Sequence, residues 1–237
     1  MMYVMIKIVL IIWLIGIHAF AFLAVWDTNL LYRIDRKFNL GLINPPESTQ
    51  YYEAMLGSHL QLDGSVEAGS IIFLGDSLTQ GLNVAAVSNR AINYGIGMDT
   101  TVGLLQRIPK YQSLNRASVI VIAIGVNDFI RAKRDPSQVF NQYVNLLNRL
   151  PNSATVIMQA LFPVDEAFEL SGTNKKIVQL NEMLTSVAKQ RKFTFVNLQS
   201  LYADSQGNLT DALHIGDGIH LSTEGYQLWI QSLKRHL

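Results

Sequence analysis

The sequence predicts an α/β protein: a doubly wound, flavodoxin-like parallel sheet of five strands, preceded by an N-terminal transmembrane helix. Three observations carry this expectation. Continuous apolar runs such as 71–74 and 117–124 read as strands buried on both faces, as a parallel sheet requires. Amphipathic stretches alternate with those runs, the pattern of repeated βαβ units. A separate run, 8–26, contains no Asp, Glu, Lys or Arg, and at ~1.5 Å per residue a helix of that length nearly crosses a hydrocarbon core of ~30 Å.

Composition narrows the function classes. A chain of 237 residues that is 49% hydrophobic supports one sizeable core with an appendage. Its net charge of +1 provides no field for nucleic acid. The absence of cysteine excludes disulfides and thiol catalysis and leaves the compartment open.

The N-terminal run divides the chain into an anchor and linker, 1–45, and a soluble domain, 46–237. Trp13 and Trp26 suit an interfacial belt and Lys7 a near-end anchor. A cleaved signal peptide is the rival reading, with Ala19-Phe20-Ala21 as its small-x-small site. The anchor is favoured because the apolar run continues past that site to Trp26. A buried core helix fits less well, since the segment is apolar all round. Arg33, Arg36 and Lys37 would place the domain in the cytoplasm by charge, whereas analogy with other anchored domains would place it outside. The expected location is the membrane, with an extracytoplasmic domain.

Pro45-Pro46 breaks any helix and opens the domain. Tyr52, Met55, Leu56, His59 and Leu60 recur at helical spacing and predict a covering helix, with His59 a tolerated passenger. The first strand, 71–74, ends in Gly75-Asp76-Ser77, and a helix is expected from Leu78 to Ala86. A second strand, 91–94, leads through Gly95-Ile96-Gly97-Met98-Asp99 to a helix that Asp99 is expected to cap. The third, 117–124, ends in Gly125-Val126-Asn127-Asp128. Asp135-Pro136 starts a helix that buries Val139, Tyr143, Leu146 and Leu147. Strands at 154–158 and 193–196 flank a helix holding 177–188, and the last helix starts near Ser222.

In an open parallel sheet, the loops after the strands converge at the carboxyl ends. Every unusual polar turn lies there, together with Asp217-Gly218-Ile219-His220 before the last helix. Acyl transfer needs a hydroxyl, a base within ~3 Å, and donors aimed at an oxyanion. Ser77, His220 and Asn127 are residues of those types, and Asp217 can fix the tautomer of His220. Ser77 alone also reads as a plain helix cap.

These four blocks, Gly75-Asp76-Ser77-Leu78, residues 93–100, Gly125 to Asp128 and Asp217 to His220, resemble those of the SGNH (GDSL-type) hydrolases, in the family's order. The resemblance covers roughly residues 50–237. It implies a serine esterase with Ser77 as nucleophile, His220 as general base and Asp217 as its orienting carboxylate. Asn127 and the Ser77 N–H would be oxyanion donors, and the family's reaction uses no cofactor or metal. Where the family commonly has a donor glycine, this chain has Met98. The backbone N–H survives that change, but the side chain narrows the acyl pocket, so acetyl-type esters are expected. A small ester or an acylated glycan is the expected partner, with the membrane and no nucleic acid. An O-acyltransferase with the same triad and a non-catalytic carbohydrate-binding relative are the alternatives.

Three features keep two readings. His214, Asp217 and His220 have a spacing that also suits a metal. Arg131, Lys133 and Arg134 either hold an anionic substrate group or form a solvated loop. Residues 162–173 are either a lid or a connection.

Overall fold

The computed structural model describes residues 7, 13, 14, 16–20, 47 and 49–237. The chain divides into two units, Met1–Pro45 and Pro46–Leu237. In the first, Lys7, Trp13, Leu14 and residues 16–20 are helical. No helix among the described residues is long and apolar enough to cross a membrane. The expected transmembrane helix over 8–26 is therefore not supported, and it falls largely on residues outside the described set.

The second unit is built on five parallel strands: β1 (Ile71–Gly75), β2 (Ala91–Gly95), β3 (Val119–Ala123), β4 (Thr155–Gln159) and β5 (Thr194–Val196). Their order across the sheet is β2-β1-β3-β4-β5, the doubly wound arrangement whose switch point lies between β1 and β3. Alternation along each strand creates two cores. Ile72, Leu74, Ile120, Ile122 and Met158 face one, and Phe73, Val121 and Ile157 face the other. Each such Ile or Leu, fully buried, contributes ~1.5–3 kcal/mol.

The first core is covered by α1 (Gln50–Asp63), α3 (Thr101–Arg107), α5 (Pro136–Leu147) and α6 (Thr173–Arg191), through residues such as Leu56, Leu104, Val139, Tyr143, Leu180 and Leu184. The second is covered by α8 (Thr223–Lys234), whose Trp229 and Leu233 are fully buried. The Trp229 indole N–H donates to Gln159 Oε1 at 3.0 Å, so its burial leaves no unpaired donor. Short helices α2 (Ser77–Gly81), α4 (Val126–Ile130) and α7 (Gln199–Tyr202) complete the set.

Several local expectations change. The helix after Ser77 stops at Gly81, because Leu82 turns extended and only a 3₁₀ turn, Val84–Ala86, follows. Thr100, not Asp99, caps α3, its hydroxyl accepting from Gly103 N–H at 3.2 Å. Asp99 is taken instead by Arg107 inside the protein. His59 lies in α1, as expected, and it packs inward. It is buried, its Nδ1 lies 3.1 Å from the Tyr111 hydroxyl, and burial, helped by Arg107, lowers its pKa to about 4.

Of residues 162–173, the first four are packed, with Asp165 N–H donating to Gly218 O at 2.8 Å and Asn174 bracketing Val164 from both sides, while 167–169, 171 and 172 are exposed.

Candidate active site

The register sets Gly75 beside both Gly95 and Ala123, so the three loops after β1, β2 and β3 leave the sheet at one level. Gly75 is required by close approach, since a Cβ there would collide with the Thr79 side chain and the Ala123 carbonyl. The chain then turns within one residue, and Asp76 caps α2 by accepting from Leu78 N–H at 3.0 Å. Ser77 is the first residue of that helix, so its N–H has no carbonyl to bond within it.

His220 reaches Ser77 from 143 positions along the chain, with Nε2 to Oγ at 2.9 Å. Its Nδ1 lies 2.6 Å from Asp217 Oδ2. The other Asp217 oxygen accepts N–H bonds from Ile219 and His220. Partial burial works to raise the Asp217 pKa, but those N–H groups and the imidazole outweigh it and hold the carboxyl below its ordinary value. An ionised Asp217 fixes a proton on Nδ1 and leaves Nε2 as the acceptor facing Ser77.

Ser77 and His220 line a cleft of about 600 Å³ together with Met98, Asn127, Tyr51 and Arg131. Asn127 donates one side-chain hydrogen to Asp99 O at 3.0 Å, which leaves the second available. Met98 has φ of +66° and occupies the third position of a turn closed by Asp99 N–H to Ile96 O at 3.1 Å. Gly97 before it has no positive φ, so the turn is type II, which ordinarily selects glycine there. Three contacts hold methionine in this conformation: Arg131 Nη1 to Met98 O at 2.6 Å, Gly97 N–H to Gln80 Oε1 at 2.6 Å, and the Asn127 bond to Asp99. The Met98 N–H itself makes no hydrogen bond among the described residues.

Beneath the cleft lies a buried ionic layer that sequence reasoning missed. Arg107 and Asp99 pair at 2.9 Å with no exposure on either side. Arg107 also donates to Gly75 O, Tyr94 O and the Tyr111 hydroxyl at 2.8–2.9 Å, so one guanidinium ties together the ends of β1 and β2. Glu47 and Asp128 both bind Arg134. Asp128 also accepts the N–H and hydroxyl of Thr101 at 2.8 and 2.7 Å, and Thr100 donates to Glu47 at 3.0 Å. Arg134 is therefore internal, and the solvated-loop reading fails for it.

Asp76 carries the sharpest consequence for pH. Burial, reinforced by Asp99 and Asp128 and opposed by the Leu78 N–H, raises its pKa from 3.8 to about 7. An acid whose pKa is raised by folding binds more protons folded than unfolded, so its contribution to stability falls as pH rises from about 4 to about 7. Asp76→Asn keeps an oxygen for Leu78 N–H and removes the charge. Above pH 7 it should stabilise the domain by on the order of 1–4 kcal/mol, at 1.36 kcal/mol per pKa unit, with no gain near pH 4. Urea denaturation of both proteins across that range measures the difference. A gain that does not depend on pH would refute the origin in ionisation.

His214 belongs to a different arrangement from the one its spacing suggested. It does not join Asp217 and His220 around a metal, because those two bind each other and Ser77. Asp165, Asp211 and His214 do bring one ligand atom each within 4.8 Å of one another. The imidazole argues against an ion there. Its Nδ1 accepts N–H bonds from Gly216 and Gly218 at 3.0 and 3.2 Å, so the neutral ring carries its proton on Nε2, the nitrogen a metal would need. That Nε2 lies 3.7 Å from each carboxylate and has no hydrogen-bond partner among the described residues. His214 thus fastens the backbone on both sides of Asp217.

The chain is 24% identical over 172 residues to platelet-activating factor acetylhydrolase IB subunit alpha1 of Rattus norvegicus, covering 69% of this chain and 73% of that protein. Its fold matches a GDSL-like lipase from Bacteroides thetaiotaomicron with a TM-score of 0.66 at 19% identity, over 77% of this chain and 98% of the other. It also matches the acetylxylan esterase of Geobacillus stearothermophilus, with a TM-score of 0.58 at 19% identity, over 70% and 94%. The GDSL-like Lipase/Acylhydrolase family matches residues 73–228, from within β1 into the last helix. The chain belongs to that family, and it is an ester-hydrolysing enzyme.

Proposed function

We propose that the domain is a serine esterase that removes short, acetyl-type acyl groups through an acyl-enzyme. The hydrogen-bonded chain from Ser77 through His220 to Asp217 is the observation that supports it. Ser77 Oγ attacks the ester carbonyl while His220 Nε2 takes its proton. Asp217 stabilises the imidazolium that forms. The developing oxyanion is met by the N–H groups of Ser77 and Met98 and by the free side-chain hydrogen of Asn127. His220 then protonates the leaving alkoxide, and water repeats the sequence against the acyl-enzyme. Labelling of Ser77 by a fluorophosphonate tests the nucleophile directly, and acyl balance with and without an added glycan separates hydrolysis from transfer.

The preference for short acyl groups rests on Met98. Its side chain is 40% exposed and lines the cleft, where glycine would project nothing. Acetyl also appears in the names of two of the similar proteins described above. Met98→Gly should therefore relax the preference for acetyl over octanoyl p-nitrophenyl esters by about tenfold or more, since a single methylene in a tight pocket already matters that much. The acetyl ester itself should gain little, because the turn already has φ of +66° with methionine in place. The readout is kcat/KM against acyl length for both proteins. Equal gains of ~10²–10³ on every ester would mean instead that methionine withholds a donor, and superimposable profiles would place Met98 away from the acyl group.

A further inference from the structure

Among the described residues, the cleft wall carries one fixed positive charge, Arg131, and neither Asp nor Glu lines the cleft. The neighbouring guanidinium groups are already matched: Arg134 binds Glu47 and Asp128, and Arg107 binds Asp99. Among the described residues Arg131 makes no ion pair, and its side chain's one hydrogen bond is Nη1 to the carbonyl of Met98. A carbonyl occupies one of the five donors of a guanidinium, so the rest of the fork remains open. That contact also fixes the direction of the fork, and a group already oriented loses little freedom on binding. A partly buried cation on a concave wall attracts anions, because a cleft focuses its field.

We propose that Arg131 is the specificity-determining residue for the alcohol portion of the substrate, and that this portion bears an anionic group, a carboxylate or a phosphate. The inference rests on the ester-hydrolase reading above. A short acyl group has no room for a second charge, so the anion belongs to the leaving alcohol. Planar, bidentate pairing with carboxylate or phosphate is the geometry for which arginine is suited and lysine is not.

The test compares 4-acetoxybenzoate with 4-acetoxybenzamide, esters of matched size that differ in charge, on the full chain and on Arg131→Gln. Arg131→Gln also loosens the Met98 carbonyl, which slows both esters alike. The ratio of their kcat/KM values cancels that loss, and comparing the ratio between the two proteins cancels their intrinsic reactivity. The ratio is expected to fall roughly tenfold to a hundredfold in Arg131→Gln, the worth of one hydrogen bond to a charged group. Arg131→Lys should retain part of it, and added salt should erode it in the wild type. A larger fall with 4-acetoxyphenyl phosphate than with the benzoate assigns phosphate, and the reverse assigns carboxylate. An unchanged ratio in Arg131→Gln overturns the proposal while leaving the esterase intact. Absence of turnover on all these esters in the wild type would remove the esterase reading and the proposal with it.

Discussion

Replacing Ser77 by alanine is expected to cut kcat on every ester by a factor on the order of 10⁶, the scale seen when the nucleophile of a coupled hydroxyl–imidazole pair is removed. The residual rate would come from binding and the oxyanion donors alone. The fold should be unaffected. Among the described residues the Ser77 side chain bonds only His220, it lies at a partly open turn, and the helix cap belongs to Asp76. Its thermal midpoint should match the wild type, as for substitutions that touch no core contact. Initial rates on p-nitrophenyl acetate, with a melting curve on the same sample, decide the matter. A variant that keeps a tenth of the activity would remove Ser77 from the chemistry.

Arg107→Leu is expected to destabilise the domain by ~3–5 kcal/mol, the usual cost of removing one member of a buried pair. The arginine is fully buried, and its loss would strand the Asp99 carboxylate and leave the Gly75 and Tyr94 carbonyls short of a donor. Burial already pushes the Asp99 pKa up to about 6 with Arg107 opposing, so the stranded acid should take up a proton at neutral pH. Asp99→Leu in the same chain should recover part of the loss, because an apolar pair of similar volume replaces an ionic one at little cost. Equilibrium urea unfolding of the three proteins gives both numbers. A single-mutant loss below ~1 kcal/mol would show that the layer is not holding the strand ends together.

What the sequence reveals follows the range of each interaction. Residues 71–74 and 119–122 are apolar without interruption, and such runs announce buried strands by themselves. The meeting of Ser77 with His220 was legible because strand carboxyl ends converge whatever the loop lengths. The ionic layer was not, because Glu47 and Arg134 are 87 positions apart and neither stands in a pattern that marks burial. Arg107 did carry a signal. It follows Leu104 by three and precedes Ile108 and Tyr111, so helical spacing places it on the buried side. Asp99 was misassigned for a related reason: any Asp before an apolar run reads as a cap, and its true partner lies inside the helix it was expected to start. The metal reading of His214 stayed open in the sequence because spacing identifies a residue type and not a tautomer.

The separation of Ser77 from His220 also has a meaning in time. A ribosome adding ~5–20 residues per second needs roughly 7–30 s to travel from the serine to the histidine, which lies 143 positions later. On the proposed mechanism, the nascent chain holds Ser77 through that interval without the His220 that would activate it. β1, β2 and β3 are all synthesised by Ala123, so the central sheet can begin to form around Ser77 before its partner exists. On the proposed mechanism, competence cannot arise before Asp217 and His220 are added, and α8, which covers the second core, is made after them. Until nearly the whole domain has been translated, the polypeptide cannot act on the esters around it.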